Sequence, residues 1–231
     1  MHALITSMNN ITDQILDRGA VLLLANSGKP QTLVGCELEE LDLSDFVLNG
    51  WVFDQCILKK SKFTSAKLEK AQFIGCKGAQ AVFTGAALGE AKFNGCDFNN
   101  VQFRGATLTQ AKFQRCKLTG ADFTQARTFD LTFEECKLND ARLRGISFAR
   151  QTLKQLDLHN ADLHQCDFRD SVFEDCSLRD AMLDHARFEG ADLRGTDIGG
   201  VRLDDARRFK GATISRAQAA ELLSELGLKV R

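Results

Sequence analysis

Tyrosine is absent and proline nearly so: the 231 residues include seventeen Phe, no Tyr and one Pro, Pro30. A chain that places Phe so often and never Tyr is filling dry slots in which a phenolic hydroxyl would lack a partner. Excess charge of either sign is missing too. The formal net charge is −1 and the pI about 6.4, which argues against a bulk nucleic-acid binder. At 26% charged and 44% hydrophobic, the composition is that of a folded chain. Long apolar runs are lacking as well. Met1 to Asn10 carries no Lys or Arg, and Ala20 to Ala25 is too short for a signal-peptide core or a membrane span. The expectation is a cytoplasmic protein without membrane contact.

What is abundant is a period of five. Of the thirty-five positions taken every fifth residue from Leu33 to Leu203, thirty-three are Leu, Phe or Ile; Gly78 and Thr128 are the exceptions. Two residues earlier in each unit, twenty-seven of thirty-five are Ala, Cys, Ser, Thr or Val. Neither the 3.6-residue helix nor the two-residue strand generates this spacing. One large and one small inward side chain per unit leave three residues for solvent, as Lys112, Gln114 and Arg115 flank Phe113. Eleven of the eighteen Gly fall two places after the large residue, where a turn tolerates positive φ. Each unit is a short extended side and a corner.

Cys36, Cys56, Cys76, Cys96, Cys116 and Cys136 recur every twenty residues, as do Phe53, Phe73, Phe93, Phe113 and Phe133. Four units therefore make one coil of a four-sided tower, with like residues stacked. At about 4.8 Å per coil, nearly nine coils form a rod of roughly 40 Å. The eight cysteines occupy small inward slots and are read as packing groups. Stacked thiols point the same way, which disfavours disulfides. No metal, cofactor or catalytic residue is assigned. His159, His164 and His185 fall outward on different sides with no nucleophile or carboxylate set attached, and the glycines mark corners rather than a phosphate loop.

The units Ala121–Gln125 (ADFTQ), Ala161–Gln165 (ADLHQ) and Ala191–Gly195 (ADLRG) resemble the pentapeptide-repeat consensus A(D/N)LxX. The resemblance spans residues 31–207 and implies an all-β fold, a right-handed quadrilateral β-helix of about nine coils. Residues 1–30 are expected to form an N-terminal cap, with a helix from Asn10 through Arg18 and a strand over Val21–Leu24. Leu41, Phe46 and Trp51 then fill the mouth of the tower. Residues 208–231 are expected to give a capping α-helix opened by a Ser215/Gln218 box, followed by a strand at Leu228 and Val230. A bend or bulge is expected at 131–156, where Leu131, Ile146, Gln151 and Leu156 crowd the small slot and Thr128 replaces a large residue.

The tail Ala212–Val230 resembles the C-terminal segment of members that protect DNA gyrase from quinolones, which implies a homodimer through Ala219, Leu222, Leu223, Leu226, Leu228 and Val230. The plainer reading is a helix sealing its own rod. Residues 31–56 hold six acids and no Lys or Arg, residues 57–120 eleven bases against three acids, and residues 150–206 thirteen acids against seven bases. Rung neighbours such as Lys70 and Glu90, Arg115 and Glu135, and Arg150 between Asp130 and Asp170 are expected to neutralise one another. By resemblance to the loop-free members, the last coils imply a DNA mimic whose carboxylates meet gyrase or topoisomerase IV, without direct nucleic-acid binding. They are Asp157, Asp162, Asp167, Asp170, Asp175, Asp180, Asp192, Asp197, Asp204 and Asp205. A scaffold for an unrelated, acidic partner, held by the belt of Lys59, Lys60, Lys62, Lys67 and Lys70, is the alternative.

Overall fold

Each coil closes because one residue per unit turns the chain. Every fifth residue from Gly35 to Gly200 has positive φ, except Gly195. Most of these corners are not glycine: Asn100, Gln110, Asp130 and Asp170 all hold φ between 53 and 58°. Polar residues tolerate this left-handed geometry less well than Gly, so the ladder above and below holds them there. At Gly195 the backbone comes close instead, and a Cβ would lie 2.9 Å from the Phe173 carbonyl oxygen.

The computed structural model describes residues 10–201, 206–225 and 227–230. Nine parallel strands lie in chain order on one face: β1 (Asn10–Thr12), β2 (Thr32–Val34), β3 (Val52–Asp54), β4 (Gln72–Ile74), β5 (Lys92–Asn94), β6 (Lys112–Gln114), β7 (Thr132–Glu134), β8 (Thr152–Lys154) and β9 (Val172–Glu174). This is face 1. Faces 2, 3 and 4 follow it along the chain and are joined mainly by single parallel bridges twenty residues apart, such as Lys77 to Asp97, Val82 to Gln102 and Ala87 to Thr107. A short pair, β10 (Cys176–Ser177) and β11 (Thr196–Asp197), lies on face 2.

The interior is dry. Phe53, Phe73, Phe93, Phe113 and Phe133 stack at 4.4 to 5.2 Å between ring centres. A second column, Phe63, Phe83, Phe103 and Phe123, stacks at 4.8 to 5.2 Å. The two columns meet edge to face, as Phe73 does with Phe83 at 5.7 Å. That is the arrangement the ring quadrupole prefers. All eight cysteines are free and buried. The Cys96 sulfur lies 3.3 Å from the Phe73 carbonyl and 3.5 Å from that of Asn94. Burial pushes the Cys166 thiol up to about 12. Buried in small dry slots, the eight thiols act as packing groups.

The N-terminal expectation is reversed in order. Residues Asn10–Thr12 are a strand, with Ile11 set over Leu33. The helix α1 is Arg18–Ala25, capped by Asp17, whose carboxylate accepts from the Ala20 N–H at 2.7 Å. The first full coil presents an open edge of backbone groups, and Asn10–Thr12 pairs with it, so the stack begins ahead of residue 31. Leu16 and Val21 are buried against the mouth, where Trp51 and Phe46 are also covered. Arg18 sits 4.8 Å above the Phe46 ring.

At the far end the period slips by one residue. Asp192 bridges to Thr213 and Phe209 stacks on Phe188 at 4.9 Å, so the stack also outlasts residue 207. Helix α2 is Arg216–Glu225, with the capping box in place: the Ser215 N–H donates to Gln218 Oε1 at 2.7 Å and the Gln218 N–H to Ser215 Oγ at 3.2 Å. Gly227 has φ 81° and the Leu228 N–H reaches back to the Leu223 carbonyl at 2.9 Å, a Schellman-type end. Residues 228–230 form no strand.

Candidate interaction surface

The repeat itself explains where its aspartates sit. An Asp just before the large inward residue accepts the N–H two places on: Asp157 from His159, Asp162 from His164, Asp167 from Arg169, Asp192 from Arg194 and Asp197 from Gly199, at 3.0 to 3.3 Å. These are Asx turns that brace each corner. The consensus Asp is a structural part before it is a surface charge.

Bridges place the set on every face. Asp192 lies on face 1, Asp157 and Asp197 on face 2, Asp162 on face 3 and Asp167 on face 4. Asp170, Asp175 and Asp180 turn three of the corners. Asp204 and Asp205 lie outside the described residues. Among the described residues, five of the eight aspartates are paired. Asp167 meets Arg169 at 2.6 Å, Asp192 meets Arg194 at 2.6 Å, Asp197 meets Arg179 at 2.8 Å, and Asp180 lies 4.0 Å from His159. The Arg169 guanidinium holds the Asp167 carboxyl below its ordinary range, and Arg194 does the same for Asp192. Among the described residues, Asp157, Asp170 and Asp175 have no cationic partner. The pairing is denser than rung neighbours suggest, because Arg169 and Arg194 reach back along their own strand to a residue two places earlier.

One expectation of isolation and one of pairing are corrected here. His164 is not free of carboxylates: its Nδ1 faces Asp162 and its Nε2 lies 2.8 Å from Asp184. Asp162 is buried and also bonds Arg144. Burial raises its carboxyl, but the bonds from Arg144 and His164 outweigh it and the net shift is downward. The partners stand two, eighteen and twenty residues away, so only the coil geometry collects them. Of the expected rung pairs, Lys70–Glu90 forms at 3.6 Å. Arg115 instead bonds Asn94 at 2.7 Å, and Arg150 has no ion pair among the described residues.

The C-terminal set divides. Leu222 is buried over an apolar cavity of about 160 Å³ shared with Leu193, Ile198 and Phe209. Gln218 donates to the Leu193 and Thr196 carbonyls at 2.7 and 2.6 Å, closing the backbone edge of the last coil. These residues seal the rod. Leu223, Leu228 and Val230 stay exposed at 39, 55 and 50%. Ala219 is half-buried, and Leu226 lies outside the described residues.

The irregularity is a gap in the ladder that starts on face 4, ahead of the expected 131–156, and reaches face 1. From Gln125 to Leu131 the ladder to the next coil is broken. The bridges Thr107 to Arg127 and Ser147 to Asp167 form, but none joins Arg127 to Ser147. Of β7 and β8, only Glu134 and Lys154 pair. Thr128 is too short for the large slot, and Phe129 beside it points outward, 72% exposed. Fifteen of the seventeen Phe are buried and Phe209 packs on the core, which leaves Phe129 as the exception.

The basic coils are also rearranged by pairing. Lys59 and Lys60 are tied to Glu39 and Glu40 at 2.8 Å and Lys70 to Glu90, so three of the five belt lysines are neutralised. Lys77, Lys92 and Lys112 are exposed and have no ion pair among the described residues. Among those residues there is no group of three His, Cys, Asp or Glu placed to hold a metal, and no helix long and apolar enough to cross a membrane.

The family model described as a pentapeptide repeat region matches residues 48–123, 66–143 and 126–207. No match among curated proteins was found. Among solved structures, a trypsin-treated single-substitution variant of QnrB1, a plasmid-mediated fluoroquinolone resistance protein, superposes with a TM-score of 0.69 at 22% identity, covering 87% of this chain and 98% of that one. A second trypsin-treated variant of QnrB1 gives 0.59 at 20% identity, covering 96% and 98%. Full-length QnrB1 gives 0.54 at 19%, covering 95% and 97%. At these identities the likeness is one of fold.

Proposed function

This chain belongs to the pentapeptide-repeat family, and on that premise we propose that it is a non-enzymatic cytoplasmic protein that binds a type II topoisomerase and alters the enzyme's response to inhibitors. The observation that carries the reading is the end-to-end likeness of the rod to a fluoroquinolone resistance protein, covering 98% of that chain. DNA gyrase is the first partner to test and topoisomerase IV the second.

In this reading the last coils present carboxylates to a basic DNA-binding saddle. Asp157, Asp170 and Asp175 are available at once, while Asp167, Asp192 and Asp197 exchange their own arginines for the partner's. Such exchange steers association more than it strengthens it. A tail-to-tail homodimer through Leu223, Leu228 and Val230 sets two acidic ends side by side at the centre of a double-length rod. Supercoiling by purified gyrase, with and without a fluoroquinolone, tests the proposal. Restored supercoiling in the presence of drug is the expected result; no effect at micromolar protein removes it.

A further inference from the structure

Lys92 and Lys112 are paired partners in β5 and β6, so two ammonium-bearing side chains leave adjacent rungs of one column. Gln72 lies below them and Thr132 above, and no carboxylate shares the column between these rungs. Like charges directly opposed across a ladder are destabilising; Lys117 over Lys137 repeats the arrangement on face 2, whereas rungs such as Asp97 to Lys117 and Arg142 to Asp162 set opposite charges over one another. Two grooves run along the edges of this face. One, of about 580 Å³, holds Lys70, Lys92 and Lys112. The other, of about 470 Å³, holds Lys77 and Arg115, with Lys59 and Lys117 paired to Glu39 and Asp97, around Gly75 and Gly95, whose missing side chains open the backbone to approach.

We infer that this basic strip, on faces 1 and 2 of the coils from Lys59 to Lys117, is a second docking surface, and that it takes an acidic polypeptide segment laid along the rod axis. The occupant follows from the chemistry around the lysines. Neither groove is lined by an aromatic side chain on which bases could stack; the neutral residues of the strip include the amides Gln72, Asn94 and Gln114. Glu90 and Asp130 on one groove and Asp97 on the other stand among the cations. A stiff duplex holds its phosphates at fixed spacing and cannot move them off those three carboxylates, whereas a flexible polypeptide turns its acidic side chains away from them and offers backbone amides to Gln and Asn. This surface is opposite in sign to the acidic coils and independent of the topoisomerase reading.

The full chain is titrated into fluorescently labelled poly-L-glutamate and, separately, into a labelled DNA duplex of similar charge, with anisotropy as the readout. Poly-glutamate is expected to bind, and to bind less as salt rises from about 50 to about 300 mM, because exposed charges are screened. The triple variant Lys77→Gln, Lys92→Gln, Lys112→Gln is expected to lose about tenfold in affinity, the scale for three exposed pairs. Removing the same charge from faces 3 and 4 by Lys62→Gln, Lys67→Gln, Arg104→Gln is expected to change it by less than about threefold. Circular dichroism confirms that both variants fold; a pair of variants carrying Ala in place of Gln supplies the comparison if one does not. Equal loss in the two variants, or duplex binding as tight as poly-glutamate binding, overturns the inference.

Discussion

The ring of Phe98 fills the slot that Gly78 leaves open on face 2, so closely that a Cβ on residue 78 would overlap it. Phe98 then meets Phe73, Phe83 and Phe93 edge to face at 5.7 to 6.0 Å. The break in the five-residue pattern at Gly78 is thus the complement of an oversized neighbour one coil later.

Restoring the consensus there should harm the protein. Gly78→Leu is expected to destabilise by about 1–3 kcal/mol through overpacking. Adding Phe98→Leu should recover much of the loss, a non-additivity that urea melts of the two single variants and the double would reveal. Additive losses would refute the shared slot.

The broken ladder on face 4 predicts uneven hydrogen exchange. The amides of Thr128, Asp130, Ser147 and Thr152 should exchange faster than those of Leu108, Gln110 and Lys112 one or more rungs away, since the latter donate to neighbouring coils. Phe129→Gln should change stability by less than about 0.5 kcal/mol, as befits an exposed site. Equal protection across the seam, or a large loss for Phe129→Gln, would contradict the structure.

Native thiols should be silent. Ellman's reagent is expected to label none of the eight cysteines until the rod unfolds, because all are buried and thiolate formation at Cys166 is pushed up to about 12. Cys96→Ser should fold, since Ser61 already fills the same kind of slot and donates to the Leu38 carbonyl at 2.5 Å. Rapid labelling of the folded protein would count against the packing role.

Acid should weaken the C-terminal coils first. Asp162, Asp167, Asp192 and Asp197 are all held below the ordinary carboxylate range. A depressed carboxyl contributes stability that is fully present above its unfolded value, near 3.9, and is lost as pH falls through the folded value. Melting temperature is therefore expected to hold from about pH 5 upward and to drop below about pH 4. Asp167→Asn should flatten that drop; an unchanged acid limb would show that the Arg169 pair contributes nothing.

The terminal leucines separate cap from interface. Leu222→Asp is expected to lower the melting temperature by loosening the seal over Ile198 and Phe209, at a cost of about 2–4 kcal/mol. Leu223→Asp and Leu228→Asp should leave stability nearly unchanged and shift the native mass, by analytical ultracentrifugation, from dimer to monomer. A wild-type monomer would remove the tail-to-tail arrangement.

By itself the sequence determined the tower. A residue such as Phe93 or Cys96 recurs at a fixed interval, and only a four-sided coil returns each copy to its own column, so period, number of sides and dry interior follow from spacing alone. The capping box at Ser215 and Gln218 was legible for the same reason, because its partners are three residues apart. Tertiary structure decided what depends on neighbours a coil away. Asn10 carries the same capping signal as Asp17, and the unpaired edge of the first coil chose between strand and helix. Whether Lys60 or Lys92 is free rests on what lies twenty residues off, and His164 finds its second carboxylate only across a rung. Thr128 left Phe129 outside because the coils above and below held their register. Spacing is a property of one chain position relative to the next, whereas pairing and closure are set by what the fold stacks on top of it.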